Sequence, residues 1–519
     1  MRMASTDPKR RGEHKGRTAQ STVFPRQRRD DARGAEDFDI LAPTGSQPAQ
    51  RASRRPSRKP ADSASAEPYR GKTAVTARNR RAIPSGTPKS KSAKDPQTRH
   101  RLWEQVKDSV LPKRIMAVEK TTAACKPVID PSTTGDAHGI RMLKSPLWCY
   151  HCFIGAVMFL TFLGTVMVFS SSVISNISSG KSPWSQALTQ GKFCLIGLVL
   201  CFGASRLKAL AYRRCSGVIL IIAWGFQLLT MSPLGVNYQG NTGWVNLGIF
   251  TMQPAEFMKL AVCLWMPLGV VIAQQRSTDK DHRPYVVPII MLIICCALVM
   301  LGRDMGTDMV ILIIGLIALL LGGMPKSWFG IMGAVVAVLA GVLVIQSPNR
   351  LARVLSAYTS CDTTQMQGTC YQSIHAKYAL ASGGFAGVGL GNSREKWNYL
   401  PEAHNDFIFA IIGEELGFVG AIVIIIMFVL IGWCLACIAL QSKDRYTSIA
   451  LVSIAVWIVG QAIINIMVVI GLLPVMGVPM PFVSAGGSSL IMCLTAAGVA
   501  ISMMRQETQI ASATNPLNS

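Results

Sequence analysis

The sequence predicts an all-α polytopic membrane protein, with ten transmembrane helices and a long extracytoplasmic loop between helices 7 and 8, preceded by a disordered basic cytoplasmic tail. Three observations carry this. Ten apolar runs lie near 147–171, 192–212, 216–233, 253–274, 284–302, 307–323, 327–346, 406–439, 447–472 and 484–504. At 1.5 Å per residue, such runs cross a hydrocarbon core about 30 Å thick. They are continuously apolar rather than alternating, which excludes a closed barrel and leaves helices. Lys and Arg crowd every second connection: Arg206, Lys208, Arg213 and Arg214; Arg276, Lys280 and Arg283; Lys326; Lys443 and Arg445; then Arg505. The short connections between hold only Lys181, Lys192 and Arg303. The positive-inside rule therefore places both termini in the cytoplasm and the 347–405 and 472–483 loops outside.

Residues 1–145 carry 32 Lys or Arg against 15 Asp or Glu, so +17 of the net +24 charge lies there. The segment is rich in Arg, Ser, Pro and Ala and too poor in apolar side chains to form a core, so residues 1–100 are expected to be disordered. It has no apolar stretch of signal-peptide type. Beside a membrane, lipid headgroups and cytosolic proteins fit such a tail better than nucleic acid, and a solvated spacer is the bland alternative. Leu102, Trp103, Val106 and Val110 recur at helical spacing among basic residues, which predicts a short interfacial helix near 101–111. The expected organisation is tail 1–145, membrane domain 146–506 and a short cytoplasmic tail 507–519.

Most of the fourteen cysteines lie in or beside apolar runs and read as packing residues. Cys361 and Cys370 differ, being nine residues apart in the long outer loop, where oxidising conditions permit a disulfide. Zinc is the weaker alternative, because His375 alone does not complete a ligand set.

Polar groups within the runs mark cavities or paths, since lipid exposure is costly for them. Glu256 and Lys259, three apart at the start of the fourth run, share a helix face and can pair. Arg303, Asp304 and Asp308 crowd the turn GRDMGTD, and Glu414 and Glu415 lie two turns inside the eighth run, where at least one should face the interior. LLPVMGVPMPFVSAGGSS, with Pro474, Pro479 and Pro481, reads as a re-entrant outer loop ending near Ser484, Gly486 and Gly487. The glycine pair suits a phosphate nest or an ordinary helix start about equally.

The most informative stretch is Gly391–Gly417, GNSREKWNYLPEAHNDFIFAIIGEELG, where a charged segment runs directly into a membrane span. It gathers Arg394, Glu395, Lys396, Glu402, His404 and Asp406 at the water–lipid boundary. Asp406 has two readings, a functional carboxylate or, with Asn405, the cap of the eighth helix.

The strings QPAEFMKLA, ASGGFAGVGLGNSREKWNYLPEAHNDFIFAIIGEELG and GLLPVMGVPMPFVSAGGSS, in that order among ten spans, resemble the SEDS family over about 145–505. GLGNSREK and GEELG are similar to its division-type (FtsW) branch rather than to the elongation branch (RodA); the sporulation paralogue SpoVE shares these motifs. The resemblance implies a peptidoglycan glycosyltransferase that polymerises lipid II at the outer face of the bacterial cytoplasmic membrane, at the division septum. It implies a class B penicillin-binding protein transpeptidase as partner, alongside other divisome proteins. It places the catalytic acid of the H-x-D-F motif on Asp406 and the Glu and Lys of QP-x-E-x-x-K on Glu256 and Lys259. The family often has an Arg-Trp-Ile-Arg sequence before QP, where this chain has Gly243, Trp244, Val245 and Asn246, so no arginine is available there for substrate phosphates.

Joining two lipid-linked disaccharides requires a sugar 4-hydroxyl to attack an anomeric carbon with inversion and loss of a polyprenyl diphosphate. A carboxylate within reach of that hydroxyl serves as general base, and the diphosphate needs cations, for which Arg303, Lys377, Arg394, Lys396 and Lys259 are positioned. Glu402, His404, Ser484 and Gly486 complete the expected substrate-binding set. No cofactor is identified; a divalent cation such as Mg²⁺ is compatible with the chemistry, although no metal-ligand cluster stands out. Two rival functions belong to other classes: a lipid II flippase using the intramembrane charges, and a non-catalytic division scaffold using the tail.

Overall fold

The computed structural model describes residues 143–238, 241–246, 248, 251–278, 281–359, 368, 370–397 and 399–514. The expectations for a disordered tail at 1–100 and an interfacial helix near 101–111 lie outside these residues.

The described chain is a helical membrane body. Its helices are α1 (Pro146–Ser178), α2 (Ser185–Arg206), α3 (Ala209–Leu228), α4 (Pro254–Arg276), α5 (Val286–Leu301), α6 (Met305–Leu321), α7 (Lys326–Ile345), α8 (Pro348–Tyr358), α9 (Tyr371–Ser382), α10 (Ile408–Gln441), α11 (Arg445–Ala455), α12 (Gln461–Val469), α13 (Gly487–Met504) and α14 (Thr508–Thr514). Among the described residues, nine helical stretches are long and apolar enough to span, α11 and α12 counting as one joined by a wider turn at Val456–Gly460; α6, at 17 residues, is a shorter apolar helix.

α4 and α13 form the interior, and each buries most of its length. Against them pack α2, α3, α6 and α11. α7 buries no side chain, and the outward faces of α2 and α7 present Leu195, Val199, Phe202, Ile331, Val338 and Ile345, as lipid-facing helices should. Because lipid offers no hydrophobic drive between helices, close packing holds them together. Gly498 of α13 shows the fit: a Cβ there would lie 2.3 Å from the Cys201 carbonyl oxygen of α2.

The charged connections sort to two ends. At one end Ser502 donates to the Leu207 carbonyl, Arg213 pairs with Asp444 at 3.9 Å, Arg445 reaches the Leu321 carbonyl, and Arg505 meets the Tyr150 hydroxyl at 3.0 Å. These are the connections that the Lys and Arg bias assigns to the inner side, so this is the inner end by that bias.

The outer end holds structure beyond the helices read from the sequence. A three-stranded antiparallel sheet, β1 (Gly235–Tyr238), β2 (Asn241–Asn246) and β3 (Thr251–Met252), lies between α3 and α4. Its strands are too short for a period-2 pattern to stand out beside an apolar run. The 347–405 loop is itself helical at α8 and α9.

Candidate active site at the outer end

The eighth span is the organising element. The eighth apolar run begins at 406, but α10 starts at Ile408, and its N-cap is Phe407, whose side chain caps nothing. The capping reading of Asp406 is therefore corrected: the residue sits in the turn before the helix, outside the span. Nine residues into α10, Gly417 has φ 67° and ψ −166°, which breaks the helix. Only glycine enters this region at little cost, and a Cβ would also strike the Gly387 nitrogen at 2.2 Å.

The break lets the glycine-rich loop 383–396 pair with the exposed backbone of α10. Val388 and Gly389 donate to the Glu414 and Glu415 carbonyls at 3.0 Å each, and Phe418 returns a bond to the Gly384 carbonyl at 3.0 Å. The two glutamate side chains, both buried, fasten the same loop. Glu414 accepts from the Ser393 hydroxyl and from the Arg394 amide at 2.8 Å. Glu415 accepts from Lys396 Nζ at 2.9 Å and from Ser170 of α1 at 2.7 Å.

A second loop closes over the 401–407 turn. Ser484 donates to the Asn405 carbonyl at 2.7 Å while accepting from the Met480 amide, and Ala485 donates to the His404 carbonyl at 2.9 Å. Asn465 of α12 uses one amide group to bind both the Asp406 and Val478 carbonyls at 2.8 Å. Gln461, one turn earlier, donates to the Pro479 carbonyl at 2.7 Å and accepts from Lys259 at 2.8 Å and Trp457 at 3.0 Å. Gln461 and Asn465 were missed in the sequence, although two amides four apart in an apolar span were a signal of helical one-face spacing.

With its backbone held this way, the half-buried Asp406 carboxylate is left open: among the described residues no donor hydrogen-bonds it, and Gly477 lies beside it. Burial pushes its pKa up to about 7, helped by the charges of Glu402 and Asp304 and opposed by Arg353. Arg353, on α8, is a cation whose charge bears on Asp406, and the sequence reading did not select it. Burial lowers the pKa of His404, so the imidazole beside Asp406 tends to be neutral.

The remaining expected site residues fall into separate groups. Arg303, Lys377 and Arg394 are exposed at the outer end; Arg303 has φ 61°, and Lys377 lies against Gly471. Lys396 is buried and engaged by Glu415. With Ser171 and Ser175 of α1 and residues 400–404, it lines a cavity of about 230 Å³ that includes Glu402 and His404 but not Asp406. Glu402 holds φ 56° and accepts from the Asn405 amide. Ser484 spends its hydroxyl on the backbone, and Gly486 is the extended residue that starts α13. Glu256 and Lys259 pair at 2.7 Å, both wholly buried, and neither lines that cavity. The pair links α4, through Gln461, to the outer loop. Cys370 is disulfide-bonded, while Cys361 lies outside the described residues. Among the described residues no three metal-ligating side chains converge.

The family model for the FtsW/RodA/SpoVE group, described as cell cycle protein, matches residues 150–509. A probable peptidoglycan glycosyltransferase FtsW of Mycobacterium tuberculosis is 35% identical over 375 residues, 72% of this chain and 70% of that one. Stage V sporulation protein E of Bacillus subtilis is 33% identical over 347 residues, 66% of this chain and 93% of that one. Among solved structures, a chain of a peptidoglycan synthase complex that coordinates polymerization and crosslinking superposes with TM-score 0.57 at 22% identity, covering 69% of this chain and 98% of that one. The rod shape determining protein RodA of Thermus thermophilus gives TM-score 0.50 at 23% identity, covering 69% and 97%. These two likenesses concern the fold. The chain belongs to the FtsW/RodA/SpoVE family of cell cycle proteins.

Proposed function

We propose that the chain is a peptidoglycan glycosyltransferase that polymerises lipid II into glycan strands at the outer face of the cytoplasmic membrane during cell division. The observation that carries the reading is Asp406: an open, half-buried carboxylate with a pKa near 7, fixed by its backbone at the outer end of the membrane body. A base with that pKa is half ionised near neutrality and still basic enough to take a hydroxyl proton. Asp406 removes the proton of the acceptor 4-hydroxyl as the oxygen attacks the anomeric carbon of the donor. The polyprenyl diphosphate leaves from the opposite side, and exposed Arg353, Arg394, Lys377 and Arg303 are the cations available to its phosphates. Neutral His404 and Glu402 border the adjoining cavity, where substrate hydroxyls and amides would be held. A requirement for a divalent cation such as Mg²⁺ is part of the proposal only as a dependence to be titrated.

The partner proposed is a class B penicillin-binding protein, whose transpeptidase cross-links the product, by analogy with a structural relative solved within a peptidoglycan synthase complex. Location at the septum, cytoplasmic termini, and a tail that meets membrane lipid or cytosolic division proteins belong to the same proposal. Purified protein with labelled lipid II tests it: long glycan chains support the reading, and their absence with and without the penicillin-binding protein refutes it. The flippase rival draws no support from Glu256 and Lys259, which pair with each other in the interior.

A further inference from the structure

Asp406 has no side-chain anchor: among the described residues no donor holds its carboxylate, so the direction in which the carboxylate points is set by its backbone. Three successive carbonyls of that turn are taken by donors from elsewhere. Ala485 holds His404, Ser484 holds Asn405, and Asn465 holds Asp406. The first two donors belong to a loop, but Asn465 projects from α12, inside the membrane body. Its Nδ2 donates to the Asp406 carbonyl and to the Val478 carbonyl, both at 2.8 Å, and so ties the turn to the loop that closes over it.

Two features set this contact apart from ordinary helix packing. Asn465 is buried, yet its Oδ1 has no hydrogen-bond partner among the described residues. A buried acceptor left unpaired costs stability, so the amide is retained for what its donor side does. The loop it grips is also strained. Phe482, buried, has φ 64°, a region that bulky side chains rarely enter. The strained residue lies between two grips, the α12 amides on the Val478 and Pro479 carbonyls and the Ser484 and Ala485 donors on the 404–405 backbone.

We propose that Asn465 is a positioning residue for the reaction at Asp406: its amide fixes the Asp406 backbone, and through it the carboxylate, where the acceptor hydroxyl is deprotonated. The inference rests on the reading of Asp406 as general base. A misplacement of about 1 Å can cost a reaction on the order of 10²-fold, whereas one hydrogen bond between membrane helices contributes little to stability. Loss of Asn465 is therefore felt in turnover before it is felt in folding. Gln461, one turn earlier, gives the contrast, because it bonds Pro479, Lys259 and Trp457 and, among the described residues, nothing in the 401–407 turn. Its loss is felt in folding first.

The experiment compares full-length Asn465→Leu, Asn465→Ser and Gln461→Leu with the parent, by polymerisation of labelled lipid II across pH and by melting. Asn465→Leu should lower kcat on the order of 10²-fold with the KM for lipid II changed by less than about twofold. It should also move the acidic limb of the rate profile to lower pH, because a carboxylate released from its buried seat is better solvated. The charges that bear on Asp406, Glu402 in the same turn, Asp304 ahead of α6 and Arg353 on α8, are the same in every variant, as is His404. Asn465→Ser leaves room for water at the two carbonyls and should show the same pattern more weakly, which keeps the test open where the leucine variant does not fold. Gln461→Leu should melt earlier than either and keep the acidic limb of the parent. Parental kcat and acidic limb in the Asn465 variants overturn the proposal, as does a Gln461→Leu protein that reproduces their whole pattern. Near-parental polymerisation by Asp406→Asn would instead remove the general base itself, whereas an inactive Asp406→Asn beside fully active Asn465 variants would remove the positioning role alone.

Discussion

Asp406 gives the sharpest prediction, because its environment sets both a rate and a pH dependence. Its pKa is raised from 3.8 to about 7 by burial, then by Glu402 and Asp304. If the ionised form is the base, a carboxylate of pKa 7 is about nine-tenths ionised at pH 8 and one-tenth at pH 6, so kcat/KM falls roughly tenfold across that interval. An unperturbed Asp would give a flat profile there. Glu402→Gln removes one negative neighbour and should move the acidic limb to lower pH. Asp406→Asn should lower polymerisation by about 10²–10⁴-fold, the usual worth of a positioned general base.

Stability should move the other way. The folded-state pKa lies above the unfolded value, so the residue favours folding when protonated, and that contribution is lost as pH rises from about 4 through 7. The Asn variant escapes this cost and should be more stable than the parent at pH 8 by on the order of 1–3 kcal/mol, discounted for partial exposure. Polymerisation from labelled lipid II between pH 5.5 and 8.5, together with melting of both proteins at pH 8, measures both effects. A flat profile, or an Asn variant with near-parental polymerisation, refutes the general-base assignment.

Glu256→Gln or Lys259→Met leaves one buried charge without its partner and should cost about 3–5 kcal/mol, with the double variant less affected than the sum; additive losses in melting curves would show that the two act separately. Gly417→Ala forces a side chain into a positive φ and against the Gly387 nitrogen, so it should lower thermal stability and activity together; an Ala variant with unchanged melting would dissolve the claim that the break in α10 seats the glycine-rich loop. Arg353→Ala should raise the KM for lipid II more than it lowers kcat and shift the acidic limb to higher pH, since a neighbouring positive charge is lost; unchanged KM would remove Arg353 from the diphosphate contacts. Mass spectrometry of non-reduced, alkylated protein should find Cys361 bonded to Cys370, a closure of about ten residues worth on the order of 2–3 kcal/mol of chain entropy, so reduction should loosen the outer loop without unfolding the membrane body.

The sequence by itself determined the helical body, because lipid exposure demands continuous apolar runs of one length, and it singled out the charged stretch 391–417, because charges running straight into such a span are rare. It also predicted that Glu256 and Lys259 share a face, which follows from helical spacing alone. The tertiary structure decided what those residues touch. Apolar periodicity does not encode the distant partners of buried polar groups, so the sequence could not show Lys259 reaching Gln461, Lys396 committed to Glu415, or Asn465 holding the backbone at Asp406. Nor could it show that the charge of Arg353, on α8 within the outer loop, opposes the raised pKa of Asp406. The break at Gly417 was hidden for the same reason: glycine is common in membrane helices, and only the loop folded against it requires the positive φ.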